Sequence, residues 1–337
     1  MADIAYATVE AVAAATDYKA TAYETERLRR LTGAASRLID KRLHRHFYPL
    51  TETRTYTDPP IYVLRRVTSS GFWLEADLLT LTSVTADSTA QTVADVELYP
   101  SAYGPPYSWI GVTGSDIDVV GVWGFSNDTT TAGATAEALD ATETGVDVTD
   151  SSVVGLGDLI IVDSERMLVT AKAMLDTGVD FSSGGTTAVS SDNAITMDGA
   201  GINVGEVILA DAERMLVVEY VAATDVATVK RAYDGTVLAT HTTPSVYAPR
   251  TLTVERGAAG STAATHLTAA AVTRNLPPGP VTDLCIAETL TTFEQEMSGY
   301  GRTVGSGETA REARGAGLAD VRRQAQTYKR TRQAVVA

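Results

Sequence analysis

Four histidines, one cysteine and a pair of recurring glutamates are the side chains of this sequence best suited to chemistry. His44 and His46 are two residues apart. On a helix they would point about 200° apart and could not share a metal ion, so they read as solvated groups at a helix end. His241 and His266 each close one unit of a repeat. A structural hydrogen bond is the preferred reading for both, and a paired metal site is the alternative. Cys285 has no histidine near it in sequence and reads as a small buried helix residue. Glu165 and Glu213 recur at matching points of duplicated segments, and duplication accounts for both. Asp and Glu together number 42, so no single pair speaks for acid–base catalysis. There is no phosphate-binding Gly-rich loop with its lysine, no zinc-peptidase helix and no nucleophile elbow. Gly257-Ala258-Ala259-Gly260-Ser261 reads as a turn. The expectation is a protein without catalytic residues, metal or cofactor.

The 337 residues suggest two domains, and 44% hydrophobic with 20% charged residues fits a folded chain. A single cysteine excludes a disulfide within the chain. The first residues read as no secretory signal, and no apolar run is long enough for a membrane helix. The net charge is -15, which argues against non-specific DNA binding. The charge is unevenly spread. Residues 1–50 and 300–337 are net basic, and everything between them is net acidic. Such asymmetry marks separate surfaces.

Two helices are expected before Pro49. One is short, over Thr8–Ala15. The other starts at the capping box Thr21-Ala22-Tyr23-Glu24 and carries the apolar stripe Leu28, Leu31, Ala35, Leu38 and Ile39. From Thr53 the period becomes two. Strands are expected at Thr53–Thr57, Ile61–Leu64, Leu79–Val84 and Asp118–Trp123, with Trp73, Trp109 and Trp123 in their core.

Residues 129–275 are rich in Thr, Ala, Val, Gly and Asp, and they repeat internally. Gly157–Val169 recurs as Gly205–Val217, each copy a β-hairpin with a turn-forming Asp. Thr228-Val229-Lys230-Arg231 leads to Thr240-His241, and Thr253-Val254-Glu255-Arg256 leads in the same way to Thr265-His266. Short duplicated β-units share a core that neither closes alone.

Pro277-Pro278-Gly279-Pro280 breaks the chain before a helix over 281–298 with Ile286, Leu290, Phe293 and Met297 on one face. Gly299, Gly301, Gly305 and Gly307 form a joint. Thr309–Glu312 reads as a second capping box. A basic arm follows with Arg311, Arg314, Arg322, Arg323, Lys329, Arg330 and Arg332, and with Leu318, Val321, Ala325 and Tyr328 at helical spacing.

Ala35-Ser36-Arg37-Leu38-Ile39-Asp40, Phe47-Tyr48-Pro49, Thr53-Arg54-Thr55-Tyr56, Leu78–Val84, Val119–Phe125 and Pro277–Val281 with Cys285 come in an order that resembles the head–tail connector (adaptor) proteins of long-tailed double-stranded DNA bacteriophages. The resemblance covers roughly residues 20–128 and 276–300. It implies an α+β fold. Residues 1–128 and 276–300 would be a helical connector core with a small β-domain, 129–275 an inserted, largely β domain, and 301–337 a basic C-terminal arm. It also implies a virion neck protein assembled in the host cytoplasm, a dodecameric ring below the portal protein. Genomic DNA would pass through its lumen without tight binding, and tail-side neck or tail-completion proteins would attach below. Leu318, Val321, Arg322, Arg323, Ala325, Tyr328 and Arg330 would meet the portal as a helix in a groove. The competing reading is a tail-associated receptor- or carbohydrate-binding β-protein. Residues 129–275 hold only Phe181, Tyr220, Tyr233 and Tyr247 as aromatics, which is thin for sugar stacking.

Overall fold

The computed structural model describes residues 4–16, 22–63, 69–182, 185–199, 201–297, 303–304, 311–312 and 317–330. Thr21 of the expected capping box lies outside them, as do the four joint glycines, Thr309, Arg314 and Arg332. Among the described residues the α-helices are α1 (Val9–Thr16), α2 (Ala22–Leu43), α3 (Gly279–Met297) and α4 (Leu318–Ala325). Thr8 caps α1, its hydroxyl accepting the Ala11 amide at 3.0 Å. Of the five stripe positions of α2, Leu38 is 38% exposed and faces away from the core. The other four, Leu28, Leu31, Ala35 and Ile39, are buried, and with Leu43 they pack on Phe47 and on Val281, Leu284 and Cys285 of α3. Each buried leucine or isoleucine contributes about 1.5–3 kcal/mol. The helix stops before Pro49, because His44 takes a left-handed φ of 55° and closes it.

The first sheet is antiparallel, in the order β1 (Leu50–Thr57), β7 (Asp116–Trp123), β3 (Ser70–Ala86), β6 (Tyr107–Ile110), β5 (Leu98–Tyr99). The short strands β2 (Tyr62–Val63) and β4 (Thr89–Ala90) pair with β3. Its core holds Phe72, Leu78, Ile110, Ile117, Val119 and Trp123.

The second sheet contains β8 (Thr129–Ala134), β9 (Gly145–Asp147), β10 (Leu159–Val162), β11 (Glu165–Asp180), β12 (Ala194–Thr196), β13 (Val207–Ala210), β14 (Glu213–Val221), β15 (Val226–Tyr233), β16 (Ser245–Glu255) and β17 (Ala271–Asn275). The order is β12-β15-β14-β13-β16-β11-β10-β17-β8, with β9 on β16. The chain enters and leaves this sheet side by side. Asn275 pairs with Thr129, and the Leu276 amide donates to Asp128 O at 2.8 Å. A two-stranded pair, β18 (Thr303–Val304) with β19 (Arg311–Glu312), stands where the second capping box was expected to start a helix. The helix begins only at Leu318, past Gly315 and Gly317, whose conformational freedom disfavours helix.

The expected fold class is corrected. Strands take up 41% of the described residues and helices 22%, so the structure is mostly β and not a helical connector core with β additions. The helical stripes in the sequence are real, but the helices are few and the Thr- and Val-rich alternating segments outnumber them.

Segment 4–10 ties the second sheet to the helices. The Ala5 amide donates to Gly157 O at 3.0 Å, and the Leu156 amide to Glu10 Oε2 at 2.9 Å. On the other side the Tyr6 amide donates to Ser36 Oγ at 2.9 Å, and Arg37 to Ile4 O at 2.8 Å.

Candidate functional site

Four of the residues singled out for chemistry, Glu165, Glu213, His241 and His266, converge in two buried clusters of one design. The hairpin β10–β11 pairs Leu159 with Leu168, Ile160 with Met167, Ile161 with Arg166 and Val162 with Glu165. The hairpin β13–β14 pairs Val207 with Leu216, Ile208 with Met215, Leu209 with Arg214 and Ala210 with Glu213. Asp163 and Asp211 make the turns, each at a left-handed φ of 52° that Asp tolerates better than most residues.

Glu165 accepts from Arg256 Nε at 2.7 Å and Nη2 at 2.8 Å, the amides of Gly257 and Ala264 at 3.0 and 2.9 Å, and His266 Nε2 at 2.9 Å. Glu213 does the same with Arg231 at 2.8 Å twice, the amides of Ala232 and Ala239 at 2.8 and 2.9 Å, and His241 Nε2 at 3.0 Å. Each histidine turns its Nδ1 to the turn aspartate, His266 to Asp163 at 2.8 Å and His241 to Asp211 at 2.7 Å. Each arginine spends its remaining donors on carbonyls. Arg256 takes those of Asp140, Glu143 and Ala264, and Arg231 those of Thr187, Asp192 and Ala239. Burial pushes both glutamates up, but the arginine, histidine and amide donors more than offset it and hold each carboxyl at about 2.

The two copies are nested. Copy A comprises β9, β10, β11, the C-terminal half of β16, and β17. Copy B comprises β12, β13, β14, β15 and the start of β16. Strand pairing matches throughout: Leu209 to Tyr247 in copy B stands for Ile161 to Thr273 in copy A. β14 and β15 are joined directly between Val221 and Val226. The equivalent strands β11 and β16 are joined by the whole of copy B.

This arrangement ties each hairpin turn to the strands beside it. Five donors saturate each glutamate, leaving no lone pair for a substrate or metal. His241 and His266 lie in separate clusters with both ring nitrogens engaged, so the paired metal site is not formed, and among the described residues no group of three or more His, Cys, Asp or Glu could hold a metal ion. His44 is exposed at the end of α2, as expected. His46 is not solvated: its Nε2 donates to Trp123 O at 3.1 Å, and burial lowers its pKa. Cys285 is buried 3.4 Å from Ser36 Oγ, and burial raises its thiol pKa. The sequence reading missed Arg231, Arg256, Asp163 and Asp211 as cluster members, although both arginines stand in the repeat whose units end in His241 and His266.

The apolar residues expected to face a portal turn inward onto the chain's own helices. Leu318, Val321 and Tyr328 pack on the helical core, and Ala325 is fully buried. Tyr328 lies edge-on to Phe47 and Phe125 at 6.2 and 5.5 Å between centroids. Arg322 grips Glu288 at 2.8 and 3.0 Å, while Arg323 pairs at the surface with Asp320. Arg330 donates its amide to Leu43 O at 2.9 Å and Nη2 to Leu74 O at 2.7 Å. The stripe that seemed to need a partner has one within the chain.

No helix among the described residues is long and apolar enough to cross a membrane. No family model, curated protein or solved structure matches this chain.

Proposed function

We propose that the chain is a virion structural protein, a subunit of the adaptor ring between the portal and the tail of a long-tailed DNA bacteriophage. The observation that carries this reading is the meeting of segments far apart in sequence, the same ones that carry the resemblance. β1 pairs with β7 along its length, Thr53 with Val120 and Tyr56 with Ile117. β7 pairs with β3 on its other edge. Phe125 packs on Phe47 at 5.5 Å, Asn275 Nδ2 donates to Phe47 O at 3.0 Å, and Cys285 of α3 meets Ser36 of α2. The second sheet is inserted into this body through adjacent strands.

A structural role also suits the saturated clusters, which stabilise without offering a reactive group. The acidic balance of residues 51–299 suits a lumen through which DNA slides, since cationic rings would hold its phosphates. In this reading the portal is met by the exposed side of α4, with Arg323 and Gln324, and by Lys329 beyond it, because the apolar side of α4 is occupied.

The test is electron microscopy of the purified protein and of virion necks labelled with antibody to this chain. Rings with an open centre and label at the neck are expected. Label confined to tail fibres, with no ring at any concentration, would overturn the proposal.

A further inference from the structure

Beside the docked α4 lies a cavity of about 320 Å³. It is lined by Arg42 and Leu43 at the end of α2, Leu284 of α3, Arg322 of α4, and Gln326 and Lys329 just past α4. Ligand sites span roughly 300–1,000 Å³, so this one has room for a single side chain or a small ion. Leu43 and Leu284 are buried and give it an apolar floor. Arg42, Arg322 and Lys329 surround that floor, and their charges are only partly cancelled. Buried Glu288 is shared by two of them: Arg42 donates Nη1 to it, and Arg322 donates Nε at 2.8 Å and Nη2 at 3.0 Å. Asp320 of α4 is held by Arg323 at the surface. Three cations against one carboxylate leave two positive charges at the cavity. Among the described residues Arg42 Nε and Nη2, Arg322 Nη1 and the side chains of Gln326 and Lys329 have no partner. The end of α2 does not use them up, because the Leu43 carbonyl is taken by the Arg330 amide at 2.9 Å. Arg42 and Arg322 are 35% and 41% exposed, so the spare donors are open to an incoming group.

We propose that this cavity receives a carboxylate side chain from a short acidic segment of a partner protein. Arg42, Arg322 and Lys329 hold the carboxylate, and its methylenes lie on Leu43 and Leu284. Planar guanidinium groups with free N–H donors match a carboxylate in geometry as well as charge. A nucleic acid fits less well. It needs a row of cations along its phosphates, and a phosphodiester has no aliphatic stem to lay on the leucines. The net charge of -15 also repels a long polyanion, whereas two spare charges in one cavity suffice for a single carboxylate. The chemistry of the contact holds for any acidic partner; only the partner's identity, the portal, rests on the adaptor reading.

The test is an NMR titration of the full chain, following the side-chain Nε–H signals of Arg42 and Arg322. The probes are the peptide acetyl-Leu-Glu-Leu-amide and its neutral twin acetyl-Leu-Gln-Leu-amide. The glutamate peptide should give saturable shifts, and the glutamine peptide should bind about tenfold more weakly or worse. Lys329→Gln, at an exposed residue with no partner to lose, should weaken the glutamate peptide about threefold and leave thermal melting unchanged. The proposal is overturned if millimolar peptide gives no saturable shift, if the two peptides bind alike, or if the Lys329→Gln chain binds as tightly as the wild type. Tighter binding of a short oligothymidylate at the same signals would overturn it in favour of a nucleic acid. Peptide binding by a chain that forms no ring in micrographs would uphold the acidic-segment site and sink the adaptor reading. Rings at virion necks, made of a chain that ignores the peptide, would do the reverse.

Discussion

Arg231 and Glu213 meet through two hydrogen bonds of 2.8 Å with side chains 1% and 0% exposed. A charge pair so far from water is costly to form and more costly to break, because removing one partner strands the other. Here the carboxylate also accepts the amides of Ala232 and Ala239, which are otherwise left without a partner.

Glu213→Gln should therefore destabilise copy B by roughly 3–5 kcal/mol, and Glu165→Gln should do the same to copy A. Adding Arg231→Met to Glu213→Gln should not restore stability, because the amide and histidine partners stay unmatched. Urea denaturation, with hydrogen exchange to locate the loosened strands, checks this. Recovery in the double variant would show that only the charge pair matters.

Acid should weaken both clusters. Glu165 and Glu213 sit at about 2 against an ordinary 4.5, so their stabilisation is complete above about 4.5 and is lost as pH falls towards 2. Asp158 runs the other way. Burial raises its carboxyl from 3.8 to about 6, so the native state holds a proton that the unfolded chain has released, and stability falls as pH rises between those values. Asp158→Asn should remove that loss. Its stability relative to wild type should grow from about pH 4 to 6 and then level off, as followed by urea midpoints. A constant difference would mean that Asp158 is ionised in the native protein across this range.

Copy B should be dispensable to copy A. Replacing residues 181–244 with the turn Ala-Ala-Thr-Asp, which joins β14 to β15 at 222–225, should leave β11 paired with β16 and copy A folded. One cooperative melt with retained β-type circular dichroism is the expected result. An unfolded product would show that copy A depends on its insert.

Arg322 and Arg323 should behave differently when reversed. Arg322→Glu sets a like charge against buried Glu288 and should loosen α4. Arg323→Glu touches only exposed Asp320 and should change stability by about 0.5 kcal/mol or less. Tyr328→Ala removes two ring contacts at about 0.5–1.5 kcal/mol each. Thermal melting ranks the three.

Local structure was legible where one residue period runs unbroken. Helix α2, the strands around Thr53–Thr57, Leu79–Val84 and Asp118–Trp123, and the helix after Pro280 all appear where their spacing placed them, although Leu38 of the α2 stripe and Met297 of the expected α3 face are exposed, and α3 buries Leu284, Cys285 and Phe293 instead. The balance of the fold was misjudged because a few long helices are conspicuous in a sequence, while strands of three residues such as β9 and β12 leave almost no pattern. The repeats were visible but their nesting was not. Glu165 has to pair with Arg256 across 91 residues and pass over Arg231, an equivalent arginine nearer in sequence. Only the register of β11 on β16 decides that choice. The inward turn of Leu318, Val321 and Tyr328 was equally hidden, since a stripe shows that a helix is covered and does not say by what.

The nesting also fixes an order of events during synthesis. Ribosomes release the chain from its N-terminus, and domains tend to fold as they emerge. Every residue of the Glu213 cluster has been made by His241, whereas Glu165 waits for Arg256 and His266. Copy B can thus close while the strands that flank it are still half of an unfinished domain, and its closing brings the end of β11 to the start of β16. The inner module then serves as a template that shortens the loop its outer twin must close, turning a long-range pairing into a nearly local one.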